Sequence, residues 1–345
     1  MSRPYRVVQW ATGNIGLRAL REVIRHPALE LVGVLVYDPA KNGVDAGTLC
    51  GEQPVGVTAT TDPEVVHALG ADCALYMPRA LDVVDVVTLL GSGTNVVTTR
   101  GEFFAGGQAL GDERRASVLD ACARGGSSIY STGSSPGFIT DALPFALLSM
   151  QRHVESVAIE EFANLSRRDS PDLLFTLMGF GRPVDSYDAR RAQYLLGEFG
   201  PALGVLAAAA DRPVDEWTAE GEVAAVRRTT TIVAGVLEAG SIGAQRTTIV
   251  GLSGGDEVVR FSANWYCTDD LEPAWDLLAT GWRVRVRGDA AFDVEISFPV
   301  ALEDLGSYTP ALTANRPVNA IPYVCAAAPG ILATADLPQI TPAGP

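Results

Sequence analysis

Lysine is almost missing from this chain: Lys41 is the only one in 345 residues, and arginine supplies the rest of the positive charge. A lysine Schiff base therefore has a single candidate amine. Positive charge is short overall. The formal net charge of −15 excludes a general nucleic-acid or anionic-membrane partner, since both need basic patches. Histidine is scarce as well: His26, His67 and His153 stand alone at a helix end, in a connecting helix and before a strand. None is placed for acid–base work, and no His/Cys/Asp cluster has metal-ligand spacing, so no metal is expected. Ser92, Ser134 and Ser135 lack the histidine that a hydrolytic triad requires. The cysteines (Cys50, Cys73, Cys122, Cys267, Cys325) are odd in number, scattered and without a C-x-x-C pair, and read as buried free thiols. The longest apolar helical run, near residues 202–210, is stopped by Asp211 and is too short to span a bilayer. The N-terminus enters a strand without a basic-then-apolar leader. A cytoplasmic protein with no membrane partner is expected.

What is present is an α/β rhythm. The length suits two domains, and 47% hydrophobic with 19% charged residues suits a globular chain. From residue 5 to about 135, predicted strands at 7–10, 31–37, 72–76, 95–98 and 127–131 alternate with helices at 16–25, 81–90 and 114–124. That alternation means parallel strands joined by crossovers. After Pro136 the pattern changes to a helix at 138–150, a strand at 154–164, a helix at 187–210, and mainly strands from 223 onward. Ser253-Gly254-Gly255-Asp256 reads as a hairpin turn. Between 282 and 298, apolar and charged residues alternate so that a hairpin with its loop at 288–290 sets Arg285 opposite Asp293 and Arg283 opposite Glu295. A half-solvated antiparallel sheet is the simpler reading of this pattern, and a subunit interface the sharper one. Residues 309–331 read as helical, with Val318, Ile321 and Val324 as anchors that return to the first domain. The tail beyond Pro329 reads as too proline-rich for the core. The expected architecture is a Rossmann doubly wound parallel sheet in residues 1–138, completed by 309–345. A second α+β domain, 139–308, carries a mostly antiparallel sheet for substrate binding and dimerisation.

The stretch YRVVQWATGNIGLRALREVI (residues 5–24) organises the rest. It reads as strand, tight turn and helix, with Ala11-Thr12-Gly13-Asn14-Ile15-Gly16 in place of G-x-G-x-x-G. Glycines there let a pyrophosphate approach the helix N-terminus, where unpaired N–H groups and the helix dipole favour negative charge. Asp38 ends the next strand 22 residues beyond Gly16, at the position of a ribose-binding acid. The same turn would also serve an ordinary βα connection. The two ends of the fingerprint together favour a dinucleotide, NAD or NADP. Asp38 favours NAD, and the nearby Lys41 offsets its charge towards a 2′-phosphate. In a doubly wound sheet ligands bind beyond the carboxyl ends of the strands. Thr12 to Gly16, Asp38, Met77, Pro78, Thr99, Arg100 and Pro136 all fall there and are the expected cofactor contacts.

Glu102 follows the fourth predicted strand, where the nicotinamide end of such a cofactor lies, with Phe103 and Phe104 beside it to exclude water. A carboxylate there can bind ammonium, stabilise an iminium or act as a general base, and a solvated loop glutamate is the plain alternative. The turn Ser135-Pro136-Gly137-Phe138 lies on the same rim and is expected to touch nicotinamide or substrate through Phe138. Phe162, Phe175, Met178 and Phe180 are candidates for an apolar pocket, although core packing suffices for any one of them.

Five stretches carry a resemblance: VVQWATGNIG (7–16), KNGVDAGTLCG (41–51), TTRGEFF (98–104), SSPGF (134–138) and NRPVNAIPYVCAAAPGI (315–331). Together they look like the dihydrodipicolinate-reductase-like group that contains 2,4-diaminopentanoate dehydrogenase and the native amine dehydrogenases. The resemblance spans the first domain and the returning C-terminal segment, and covers 140–300 only in general architecture. It implies a homodimer that uses NAD(P)H for reductive amination of carbonyl compounds, with the catalytic glutamate at Glu102 and Asn319 near the cofactor. The paired-histidine and lysine motif of dihydrodipicolinate reductase itself is missing here. The expected activity is amination of a small aliphatic or cyclic ketone or aldehyde with ammonia, reversible as oxidative deamination. Two alternatives are reduction of another C=N or C=O substrate without ammonia, and a non-catalytic dinucleotide-binding protein.

Overall fold

In the computed structural model, which describes residues 3–342, the buried strand β1 (Tyr5–Trp10) feeds α1 (Asn14–Arg25) and β2 (Leu29–Leu35). There follow α2 (Ala46–Cys50), β3 (Ala59–Thr60), α3 (Pro63–His67), β4 (Cys73–Tyr76), α4 (Val83–Gly91), β5 (Asn95–Thr98), α5 (Asp112–Gly125) and β6 (Ser128–Ser131). The middle of the chain forms α6 (Leu143–Leu148), β7 (Val154–Asn164), α7 (Arg190–Ala209), β8 (Glu216–Val226), β9 (Thr230–Ile232) and β10 (Gly235–Leu237). It continues through β11 (Ile242–Ser253), β12 (Asp256–Tyr266), β13 (Leu271–Glu272), β14 (Gly281–Gly288) and β15 (Phe292–Ser297), before α8 (Leu305–Ala326) and β16 (Gly330–Leu332). Two units result: Met1–Phe138 with Thr309–Pro345, and Ile139–Tyr308.

In the first unit the strand order is β16-β6-β5-β4-β1-β2-β3, with every pairing parallel. Alternate residues of β1 enter different cores, as period-two geometry requires. Val7 packs with Ala19, Val23, Val318, Ile321 and Val324 from α1 and α8. Val8 and Trp10 pack with Tyr76, Leu89, Phe103 and Val118 on the other face. The helices begin where the sequence supplies caps: the Asp62 and Asp82 carboxylates accept from the amides of Glu64 and Val84. The tail differs from expectation. Gly330–Leu332 adds a seventh strand beside β6, and Leu332 is buried. Proline density argued against core, but three residues free of proline suffice to extend a parallel edge.

The second unit holds a sheet ordered β13-β8-β11-β12-β7-β14-β15 in which only β12 and β7 run parallel. α7 covers one face, where Phe199 stacks on Phe261 at 4.2 Å. The turn at Gly254 and Gly255 has both residues at positive φ, as a two-residue hairpin demands. The β14–β15 register is the expected one, with Arg285 opposite Asp293 and Arg283 opposite Glu295. The ion pairs, however, run partly across the sheet. Arg285 reaches Glu160 on β7 at 2.7 Å, and Asp293 is taken by Arg287. The helix expected at 138–150 forms: a π-helical turn through Ala142 runs directly into α6, and the non-helical dihedrals of Ser135, Pro136 and Gly137 mark where it starts. All five cysteines are free thiols. Among the described residues no helix is long and apolar enough to cross a membrane.

Candidate active site

Parallel strands direct their carboxyl ends to one edge, so the loops after β1, β2, β4, β5 and β6 gather along that edge of the first unit. Strand order reverses between β1 and β4, the switch point where such sheets bind ligands. After β1 the chain turns sharply: Ala11 sits at φ +75°, in the left-handed region, and Gly13 caps α1 in extended geometry. Ala11 thus keeps the backbone of the fingerprint glycine that it replaces, at a cost of about 1 kcal/mol. A Cβ on Gly16 would lie 2.2 Å from the Ala11 carbonyl oxygen, so α1 can approach the turn only with glycine there. A Cβ on Gly13 would meet nothing within 4 Å, which leaves open space above the helix N-terminus. The first turn of α1 contains no acid and no side-chain cap, so its N–H groups remain available to an anion.

Lys41 closes over this turn. Its Nζ donates to the Thr12 carbonyl at 2.9 Å and lies 3.3 Å from the Thr12 hydroxyl. Asp38 is exposed at the end of β2, where one carboxylate oxygen accepts from the Ala40 amide at 2.9 Å. Met77 and Pro78 are buried after β4, with the Met77 amide bonded to the Trp10 carbonyl. In the loop after β6 the Ser135 hydroxyl is buried without a protein partner, and so is Oε1 of Gln9 beneath the glycine turn. Open space over a helix N-terminus, a lysine beside it and orphaned polar atoms along one edge fit a phosphate-bearing dinucleotide.

The loop after β5 presents Glu102. Arg100 Nε donates to Glu102 Oε2 at 3.1 Å, and Nη2 donates to Oε1. Arg100 also donates to the Arg79 carbonyl at 2.7 Å, tying this loop to the one after β4, while its own carbonyl accepts from the Ser131 hydroxyl. The Phe103 and Phe104 rings are both buried, Phe103 in the core beneath the sheet, and the Glu102 side chain stays 27% exposed in its arginine pair.

No family model matches the chain. A curated amine dehydrogenase from Streptomyces virginiae is 30% identical over 346 residues, spanning 96% of this chain and 95% of the relative. The chain belongs to the amine dehydrogenase family. It is accordingly an oxidoreductase. Among solved structures, the amine dehydrogenase of Mycobacterium smegmatis shares the fold with a TM-score of 0.77 at 19% identity, over 98% of this chain and 97% of that one. A probable dehydrogenase from Thermotoga maritima follows the same fold more loosely, with a TM-score of 0.57 at 11% identity, over 96% and 92% of the two chains.

Several expected residues of this family member lie elsewhere. Asn319 does not join the carboxyl-edge loops; it lines a pocket of about 460 Å³ with Glu22, Arg25 and His26, at the far end of α1 from the glycine turn. The apolar pocket is not assembled either. Phe175 and Met178 pack against Leu174, Phe180 and Val226, whereas Phe162 lies on the opposite face of its sheet under the Arg283 guanidinium. Phe138 stands on the rim of the first unit with the Arg316 guanidinium 5.9 Å from its ring. Pro136 and the part-buried Thr99 keep their places in the loops after β6 and β5. Arg316 and Thr313 were not anticipated: Arg316 donates to the Thr132 hydroxyl at 2.8 Å, and Thr313 bonds Ser134 at 2.7 Å, so α8 buttresses the loop after β6. Their signal was the N-R-P-V-N run, whose arginine is the one charge in an otherwise apolar and amide-bearing segment.

Proposed function

We propose that the enzyme is an NAD(P)H-dependent amine dehydrogenase that condenses ammonia with a small aliphatic or cyclic ketone or aldehyde and reduces the resulting imine, or runs the reverse deamination. The observation that carries this is the placement of Glu102 on the carboxyl-edge loop after β5, held by Arg100, on the same edge as the glycine turn. In this reading the α1 N-terminus and Lys41 hold the pyrophosphate of NAD or NADP. The uncommitted oxygen of Asp38 accepts a ribose hydroxyl, and Met77, Pro78, Thr99 and Pro136 flank the nicotinamide half. A bound NAD(P)H supplies the hydride. Glu102 faces the reacting nitrogen: it takes a proton from ammonium so that the free amine can attack the carbonyl, returns that proton to the departing hydroxyl so that water leaves, and, ionised again, favours the iminium that remains. Family membership supports the amine chemistry.

The second unit provides the substrate surface, and its open, charge-laced sheet face provides the contact of a homodimer in the cytoplasm. Ketone plus ammonium should consume NAD(P)H at mildly alkaline pH, and ketone alone should not. Equal consumption without ammonium would make the enzyme a C=O reductase. Tight cofactor binding with no turnover across a panel of ketones would make it a dinucleotide-binding protein.

A further inference from the structure

Gln9 is fully buried near the end of β1, the strand between β2 and β4, where it pairs with Val34 on one side and Leu75 on the other. A parallel strand covered on both faces calls for apolar side chains, and an amide there is costly unless it is bonded. Only half of this one is. Nε2 donates to the Ala11 carbonyl at 2.9 Å and lies 3.5 Å from the Leu75 carbonyl, while Oε1 has no partner. The side chain acts as a donor, and its main acceptor is the first residue of the turn.

Ala11 is where that turn needs support. It sits at φ +75°, a conformation that glycine adopts freely and alanine does not. The carbonyls on either side are held by other elements: Trp10 by the Met77 amide at 3.0 Å, Thr12 by Lys41 Nζ at 2.9 Å and Gly13 by the Leu17 amide at 2.9 Å. The Ala11 carbonyl is held by Gln9. In a planar trans peptide the N–H points opposite the carbonyl, so drawing the Ala11 oxygen down to Gln9 turns the Thr12 N–H away from it. Among the described residues that N–H has no protein acceptor. α1 packs against the same group: a Cβ on Gly16 would stand 2.2 Å from the Ala11 oxygen and 3.1 Å from Gln9 Nε2.

We propose that Gln9 is a positioning residue of the cofactor site: by holding the Ala11 carbonyl it keeps an alanine in the conformation of the absent fingerprint glycine and aims the Thr12 N–H at the pyrophosphate of the dinucleotide. It acts through Ala11 and not on the cofactor itself. The inference rests on the placement of the dinucleotide at the glycine turn, and it names the side chain that makes this turn competent.

The test is NAD(P)H titration of the full-length protein, followed by nucleotide fluorescence, in wild type, Gln9→Met, Ala11→Gly and the two substitutions combined. Methionine keeps the reach of glutamine without the amide. Gln9→Met is expected to weaken NAD(P)H binding about tenfold, the effect of one lost hydrogen bond acting through the fraction of molecules whose turn is competent. Ala11→Gly should bind as wild type does. Added to Gln9→Met it should recover most of the loss, because glycine needs no prop at positive φ. A glutamine that served packing alone would give effects that add, without rescue. Equal weakening with and without Ala11→Gly, or none in Gln9→Met, overturns the proposal. If Gln9→Met does not fold, the combined variant decides: folding with near-wild-type affinity supports the role, and failure to fold assigns Gln9 to the fold and overturns it. A wild type that binds no NAD(P)H removes the cofactor reading and this role with it, whereas wild-type binding that Gln9→Met leaves intact removes this role alone.

Discussion

Arg100 and Glu102, two residues apart on the loop after β5, hold each other through paired hydrogen bonds, Nε to Oε2 at 3.1 Å and Nη2 to Oε1. This fork fixes the carboxylate before any substrate arrives. Glu102→Gln keeps the shape and removes the charge and the proton acceptor. Turnover should fall by about 10²- to 10⁴-fold, the range for a general acid–base group. Dinucleotide affinity, measured by titration, should be unchanged. Retained turnover would move the catalytic role to another residue.

The glycine turn makes a paired prediction of opposite signs. Gly16→Ala drives a Cβ to 2.2 Å from a backbone oxygen, and backbone cannot yield as a side-chain tip can. It should cost about 1–3 kcal/mol of stability and displace α1 from the turn, so dinucleotide affinity falls with it. Ala11→Gly relieves the positive φ and should be neutral or stabilising by up to about 1 kcal/mol. Chemical denaturation of both variants, with and without NAD(P)H, reads the two effects. An Ala11→Gly variant less stable than the parent would show that Ala11 is not strained.

Much of this fold could be read from the chain, and the limits have physical causes. Residues 95–98 and 154–164 form strands with the expected bounds because apolar and β-branched runs there end at turn residues. The β14–β15 register followed from period-two alternation, since a slip by one would bury Arg283 and Arg285. What alternation does not encode is which neighbouring strand a long arginine reaches, and so the pairing of Arg285 with Glu160 was not visible. The carboxyl-edge loops were legible because parallel topology alone places them. The aromatic pocket was not, because Phe162, Phe175 and Met178 look alike in sequence whether they face a core or a cavity.

Acid should weaken the fold through Asp72. The Arg3 guanidinium, bonded to both carboxylate oxygens at 2.6 and 2.7 Å, and then the Arg6 amide hold this carboxyl below its ordinary value against the opposing effect of burial. A depressed value means that the folded state gains from ionised Asp72. That gain is complete above the ordinary aspartate range, near 3.9, and is lost as pH falls through the depressed value. Because Arg3 is largely exposed, solvent screening keeps the ion pair's contribution small. Asp72→Asn should therefore lower the denaturation midpoint by a constant amount at neutral pH, and the two curves should converge below about pH 4. Curves that stay parallel into acid would assign the loss to packing rather than to charge.

A chain with one lysine permits a chemical test of the cofactor site. Lys41 Nζ bonds the Thr12 carbonyl beside the α1 N-terminus, where a pyrophosphate would lie, and it carries the only ε-amino group in the sequence. Acylation by a lysine-selective reagent should modify Lys41 together with the α-amino group at most. Saturating NAD(P)H should slow the Lys41 reaction and leave the α-amino reaction as it was, as read by peptide mass mapping. Lys41→Gln should weaken dinucleotide binding by about tenfold, the equivalent of about 1.4 kcal/mol for one lost charge contact. The loss should be larger for NADP than for NAD if Lys41 also offsets Asp38 at the 2′ position. Equal losses would confine the lysine to the pyrophosphate, and unprotected labelling at Lys41 would place the dinucleotide away from the glycine turn altogether.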